Sequence, residues 1–351
     1  MLEAELHPRL SRITVPEYRQ AAEDAVRSGA LRKLIRPIGP IPGDPTEQDL
    51  PTFEPTFDRS AVDHEARIVR EEAVARGVDV PEAATQTIAF MRHIMIPVER
   101  PELGLAITRI WSIILASEPH SDYEQATSLL TLKHGHGVAH PPSPLTQYID
   151  HAFEEVGRFC SAEFLAIYKS LFYRNAIGTL FEVLVAQHQA QRTSPSVRYI
   201  RDNNGFFEFW HISLQFLDER LSFSRNPMFW VNTMEASNAF INLGNDAFSF
   251  YKEALDGADF ESSYIFRRAM TTKRPYPEVF LETVDEVLKS YHSIQAAASS
   301  LPDELRTQVD RSLKSYLYWH FRNSRYQLRD VYPELSYWDD APAPRAPKMV
   351  G

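Results

Sequence analysis

Cysteine is nearly absent from these 351 residues, with Cys160 standing alone. A single thiol excludes a disulfide framework within the chain and fits a reducing compartment. Glycine is scarce as well, at 13 residues, which argues against a chain of many hairpins and against a glycine-rich nucleotide fold. The formal net charge is −10 and no basic stripe interrupts it, so a nucleic-acid partner is not expected. The N-terminus MLEAELHPRLSRITVPEYRQ has no apolar core of signal-peptide length. The most apolar stretch, 107–116, contains Arg109 and is too short to span a bilayer. Together these absences predict a cytoplasmic protein without a membrane span. G-x-S-x-G, P-loop and G-x-G-x-x-G patterns are also missing.

What is present is apolar and aromatic. The chain is 44% hydrophobic with 21 Phe, 15 Tyr and 5 Trp, enough for a large core or an apolar cavity. Prolines at 8, 16, 37, 40, 42, 45, 51 and 55 predict an extended, wrapping or disordered arm over residues 1–57. From Asp58 the pattern becomes helical: DRSAVDHEARIVREEAVARG, VPEAATQTIAFMRHIMI and LGLAITRIWSIILA all repeat apolar residues at helical spacing. Helical patterns resume over 146–190, 203–220, 228–255, 277–298 and 302–328. The expected architecture is one all-α domain of about ten helices over 58–332, followed by a mobile, proline-rich tail over 333–351.

Residues 244–257, GNDAFSFYKEALDG, carry the chemistry. Asn245, Ser249 and Glu253 recur every four residues, which stacks three oxygen-bearing side chains on one helical face. Such a face can be solvated. Here Phe248, Phe250 and Tyr251, with NPMFWVNTMEASNAFINL upstream, make the helix apolar around most of its circumference, as buried helices are. Buried oxygens need partners, and three hard oxygens suit Mg²⁺, which takes oxygen ligands and keeps waters and phosphates in its shell. Lys252 is placed to contact an anion on the same metal.

NDAFSFYKE resembles the second metal-binding motif of class I terpene cyclases, N-D-x-x-S-x-x-x-E, in the form seen in fungal trichodiene-synthase-like sesquiterpene cyclases. Two further segments resemble that family in order. YLYWHFRNSRYQL is similar to its W-H…R-Y segment, which places Arg325 and Tyr326 at a diphosphate-binding pair. YIRDNNGFF is similar to the segment bearing the diphosphate-sensing arginine, here Arg201, 44 residues before Asn245. The likeness runs from Gln86 to Leu328. It implies a class I terpenoid-synthase-like α-helical barrel around an apolar cavity, with Mg²⁺ (Mn²⁺ as the alternative ion) gripping the diphosphate of a linear isoprenoid. Farnesyl diphosphate is the substrate the resemblance implies, and an α-humulene-like macrocycle is one product type it allows. A homodimer is left open.

The resemblance breaks at one place. The family carries an aspartate-rich D-D-x-x-D motif after an apolar stretch, and the corresponding residues here are IWSIILASEPHSDYEQ, with Ala116, Ser117 and His120 where aspartates would stand. Three readings stay open: Glu118 and Asp122 as shifted ligands, Asn245, Ser249 and Glu253 holding most of the metal, or lost catalysis in a protein that binds prenyl diphosphates or a pathway enzyme. Among the aromatics, Phe206, Phe207, Trp210, Phe248 and Trp319 are the expected cavity wall, since aromatic faces stabilise cations. HGHGVAH, with His134, His136 and His140, is read as a surface loop because nothing nearby completes a zinc site. Cys160 is read as a small core residue.

Overall fold

The computed structural model describes residues 15–40, 52–117, 143–187, 197–203, 207–256 and 263–340. Among these residues there is no strand, and no helix is long and apolar enough to cross a membrane. Helices α1 (Val15–Arg27) and α2 (Ala30–Ile35) precede α3 (Arg59–Ala75), α4 (Glu82–Met95), α5 (Pro101–Ser117), α6 (Pro144–Gly157) and α7 (Ala162–Gln187). The short α8 (Val197–Asn203) and α9 (Phe207–Ser213) lead to α10 (Pro227–Asn238), a π-helical turn (Ala239–Leu243) and α11 (Gly244–Asp256). The chain closes with α12 (Tyr264–Thr272), α13 (Tyr276–Ala298) and α14 (Asp303–Phe321).

Local sequence sets these ends. Asp58 caps α3 by accepting from the Ser60 amide at 2.9 Å, and Ser143 caps α6 with Pro144 in its first turn, the two commonest helix-start devices. Ser263 caps α12 by accepting from the Phe266 amide. Neighbours in sequence pack in series from α3 to α7, while α13 and α14 return against α10, α12 and α4. One continuous apolar core runs through the bundle, from Tyr18 to Leu335.

Two expected boundaries are corrected. The N-terminal arm is not extended over 15–35: it forms α1 and α2. Pro16 lies in the first turn of α1, where proline is tolerated, and no proline occurs between 17 and 36. Tyr18 is fully buried, hydrogen-bonds Ser263 at 3.1 Å and meets Phe250, Phe266 and Tyr276 edge-on. The arm therefore braces the back of α11. At the other end, Leu335 is buried and the Trp338 ring stacks on Phe90 at 4.0 Å, so the tail is packed as far as residue 340. The single helices expected over 203–220 and 228–255 are broken, the first into α9 and two 3₁₀ turns (Leu214–Phe216, Glu219–Leu221), the second by the π turn.

Deleting the Tyr18 side chain removes a buried ring, and large aromatic truncations cost about 3–5 kcal/mol. Tyr18→Ala should lower the denaturant midpoint by a corresponding amount; an unchanged midpoint would refute the packed position of α1.

Candidate active site

The π turn is where the site begins. A π turn spaces its backbone hydrogen bonds wider than an α-helix and is often found at functional sites. Here the Ile241 carbonyl accepts from the Tyr316 hydroxyl and the Asn242 carbonyl accepts from Arg201 Nη2 at 3.0 Å. Asn242 returns the contact, its Nδ2 donating to the Arg201 carbonyl at 3.2 Å and to Asn238 Oδ1 at 2.9 Å. Asn238 in turn reaches the Asp202 carbonyl at 3.4 Å, and Arg174 binds Asn203 Oδ1 at 2.8 Å. The end of α8 is thus stitched to the π turn through side chains, and the guanidinium of Arg201 is delivered beside α11.

There Arg201 Nε donates to Asp246 Oδ2 at 2.9 Å, and Nη2 also reaches Asn245 Oδ1 at 3.3 Å. Asn245 Nδ2 donates to the Tyr326 hydroxyl at 3.1 Å and lies 3.4 Å from His320 Nε2. One turn on, Ser249 Oγ donates to Glu253 Oε1 at 2.7 Å. Burial pushes the Glu253 carboxyl up to about 7, and the neighbouring Asp246 charge pushes the same way. Burial holds His320 well down, at about 3, so its ring is neutral.

All of these groups except Ser249, which is buried on α11 behind the lining and reaches the site through Glu253, face one cavity of about 240 Å³. Arg201, Asn245, Glu253, Trp319, Arg325 and Tyr326 line it, so the three sequence segments converge. Ile88, Met91, Val197, Ile200 and Ile241 form its apolar side. Trp319 is held by its indole donating to the Thr87 carbonyl at 3.3 Å. Other expectations fall elsewhere. Trp210 is fully buried with its indole on Ser312 at 3.0 Å, and Phe248 is buried beneath the His320 ring at 5.3 Å; neither is on the cavity wall. Lys252 is half-buried on α11 without lining the cavity. Phe207 opens α9, whereas Phe206, Glu118, Asp122 and the three histidines of HGHGVAH lie outside the described residues. Cys160 is partly buried against the core, its Sγ on the Val156 carbonyl at 3.4 Å.

The cavity also holds residues that sequence reasoning did not single out. Asp246 sits inside the quoted motif and pairs with Arg201. His320 stands in the W-H segment. Glu182 of α7 and Arg267 of α12 line the wall with no motif around them to announce them. The donor set of Asn245, Ser249 and Glu253 is all oxygen, with one carboxylate, and fits a hard cation such as Mg²⁺. Among the described residues no group of three or more His, Cys, Asp or Glu could hold a metal, so the fit rests on the two neutral oxygens as much as on Glu253.

A carboxylate raised from the usual 4.5 to about 7 binds its proton more tightly when folded than when unfolded. The folded state therefore loses stability as pH rises from about 4.5 to 7, and the penalty persists above. Glu253→Gln, which keeps an acceptor for Ser249, should raise stability of the metal-free protein by about 1–3 kcal/mol at pH 8 and by little at pH 4.5. Thermal melts of both proteins at the two pH values test this; equal shifts at both would show that Glu253 is not strained by its charge.

No family model matches the chain. Over 92 residues it is 32% identical to an (E)-beta farnesene synthase of Metarhizium brunneum, covering 26% of this chain and 27% of that protein. Over 140 residues it is 31% identical to terpene synthase 29 of Postia placenta, covering 39% and 38%. The chain thus matches well under half the length of these curated relatives. Similarity in structure is broader. 2-Methylisoborneol synthase from Streptomyces coelicolor A3(2), solved with Mg²⁺ and 2-fluoroneryl diphosphate, superposes with a TM-score of 0.59 at 18% identity, covering 82% of this chain and 96% of that one. A variant of cucumene synthase gives 0.54 at 12% identity, covering 78% and 99%. The chain has the all-α fold of the class I terpene cyclases, and parts of its sequence are similar to terpene synthases.

Proposed function

We propose that the protein is a sesquiterpene cyclase that ionises farnesyl diphosphate with Mg²⁺ and closes the resulting cation into a ring, releasing diphosphate. The observation that carries this reading is the convergence of Arg201, Asn245, Glu253, Arg325 and Tyr326, from three distant segments, on one cavity that Ile88, Met91, Val197, Ile200 and Ile241 also line. Held by Asn245, Ser249 and Glu253, Mg²⁺ would act as a Lewis acid toward the leaving diphosphate.

The chain's own residues account for the remaining steps. Arg201 and Arg325, with Arg267 on the same wall, present cationic donors to the leaving diphosphate, and aimed donors stabilise charge where it develops. The Tyr326 hydroxyl adds a neutral donor. Lys252 is assigned to the outer edge of the anion. Ile88, Met91, Val197, Ile200 and Ile241 exclude water from the prenyl chain, which protects a cation from capture. The indole face of Trp319, also on the wall, suits a positive centre. Because His320 Nε2 faces Asn245, the departing diphosphate is the better proton acceptor for a closing deprotonation. A single ring closure followed by proton loss, giving an α-humulene-like macrocycle, is the simplest product consistent with this short list of groups.

Incubation with farnesyl diphosphate and Mg²⁺, followed by analysis of volatiles, decides the matter. A hydrocarbon or alcohol above the no-enzyme control is expected. Silence with geranyl, farnesyl and geranylgeranyl diphosphates alike would favour a non-catalytic prenyl-diphosphate binder, the reading that the missing aspartates support. Glu253→Ala should abolish turnover in a folded protein. Changing Glu118 and Asp122 together to Ala addresses the aspartate-rich position: loss of activity assigns shifted ligands there, and normal activity leaves the metal to α11.

A further inference from the structure

Asn245 is nearly symmetric in shape, yet only one end of its amide can ligate a hard cation. Its orientation must therefore be enforced, and its hydrogen-bonding neighbours do so. Arg201 Nη2 lies 3.3 Å from Oδ1, while the Tyr326 hydroxyl and His320 Nε2 lie 3.1 and 3.4 Å from Nδ2. Reversing the amide would set its NH₂ against a guanidinium and its oxygen against an imidazole lone pair, both unfavourable.

That lone pair is itself fixed. His320 is 1% exposed, and its Nδ1 lies 2.9 Å from the Tyr316 carbonyl, which can only accept. The ring proton is therefore on Nδ1, and Nε2 is left as an acceptor. The ring cannot turn freely, because it stacks on Phe248 and is flanked by Tyr316, Tyr326 and Trp319. Tyr316 is seated in turn by its hydroxyl bond to the π turn, and by Gly244: a Cβ there would lie 3.0 Å from the Tyr316 ring. The glycine at the head of α11 thus admits the ring that positions the histidine that faces the next residue.

We propose that His320 is a positioning residue for the metal site, its Nε2 accepting from Asn245 Nδ2 so that Oδ1 points at the cation. The inference rests on Asn245 being a metal ligand. Arg201 contacts the same oxygen that the cation requires, so its guanidinium competes with the cation there. His320 and Tyr326 hold the opposite end of the amide and remain in place.

Mn²⁺ binding in the presence of inorganic diphosphate, followed by electron paramagnetic resonance on the full chain, tests the proposal without reference to turnover. His320→Phe keeps a ring over Phe248 but removes the acceptor, and should weaken Mn²⁺ about fivefold to tenfold, the scale of one lost hydrogen bond. His320→Gln, which carries an acceptor, should recover affinity to within about twofold. The decisive arm repeats His320→Phe in an Asn245→Asp background, where two equivalent oxygens need no orienting. There the histidine change should bring no weakening. Equal weakening in both backgrounds, or wild-type affinity in His320→Phe, overturns the proposal. If His320→Phe does not melt cooperatively, His320→Leu takes its place in both arms. Absence of Mn²⁺ binding by the unmodified protein would instead overturn the metal-site reading itself, and this inference with it.

Discussion

The ion pair between Arg201 and Asp246 is the contact on which the rest of the site depends. It joins two helices that follow one another across a long excursion through α9 and α10, at 2.9 Å and with Asp246 buried. A buried carboxylate left without its guanidinium would be costly, so the pair fixes where α8 ends relative to α11. The π turn completes the arrangement. Its carbonyls take one donor from Arg201 and one from Tyr316, and Asn242 binds Arg201 at both its backbone and its side chain.

The proposed metal-binding face of α11 is anchored unevenly along its length. Asn245 is held by Arg201, Tyr326 and His320. Glu253, two turns further along, accepts from Ser249 Oγ and carries a proton affinity raised by burial and by Asp246. Placing a second negative charge near a buried carboxylate destabilises the fold, and functional sites often retain such a cost. A divalent cation would remove it. The raised proton affinity of Glu253 is thus compatible with the cation proposed at this face.

Much of this was legible in the sequence, for reasons that differ between residues. Asn245, Ser249 and Glu253 announce themselves because a period of four puts them on one helical face, and the aromatic surroundings say the face is buried. Arg201, Arg325 and Tyr326 were legible only through resemblance, since one arginine or tyrosine carries no periodic signal. Arg267 and Glu182 were not legible at all: each is a single charged residue on a helix, and tertiary packing alone brings it to the cavity. The aromatic residues show the opposite failure. Trp210 and Phe248 look like cavity wall in FFEFWH and DAFSFY, but both are core, as aromatics at helical spacing usually are. The N-terminal arm was misread because proline density was averaged over 57 residues; the prolines cluster before 17 and after 36, leaving room for two helices.

Charge balance bears on what replaces the aspartate-rich motif. Among the described residues lining the cavity, Arg201, Arg267 and Arg325 are cationic, Glu182, Asp246 and Glu253 are acidic, and His320 is neutral. The formal charges cancel. An incoming diphosphate would therefore place its whole negative charge in a cavity with no net positive charge to receive it, and uncompensated charge in a partly buried site is strongly disfavoured. Part of the difference can come from Glu253, whose proton is retained near neutral pH, but only at the expense of its ability to ligate. The arginines alone do not make this an anion site, because the three carboxylates balance their formal charge and Asp246 pairs directly with Arg201. On the proposed reading a cation accompanies the anion, and Asn245, Ser249 and Glu253 of α11 are the oxygen donors assigned to hold it.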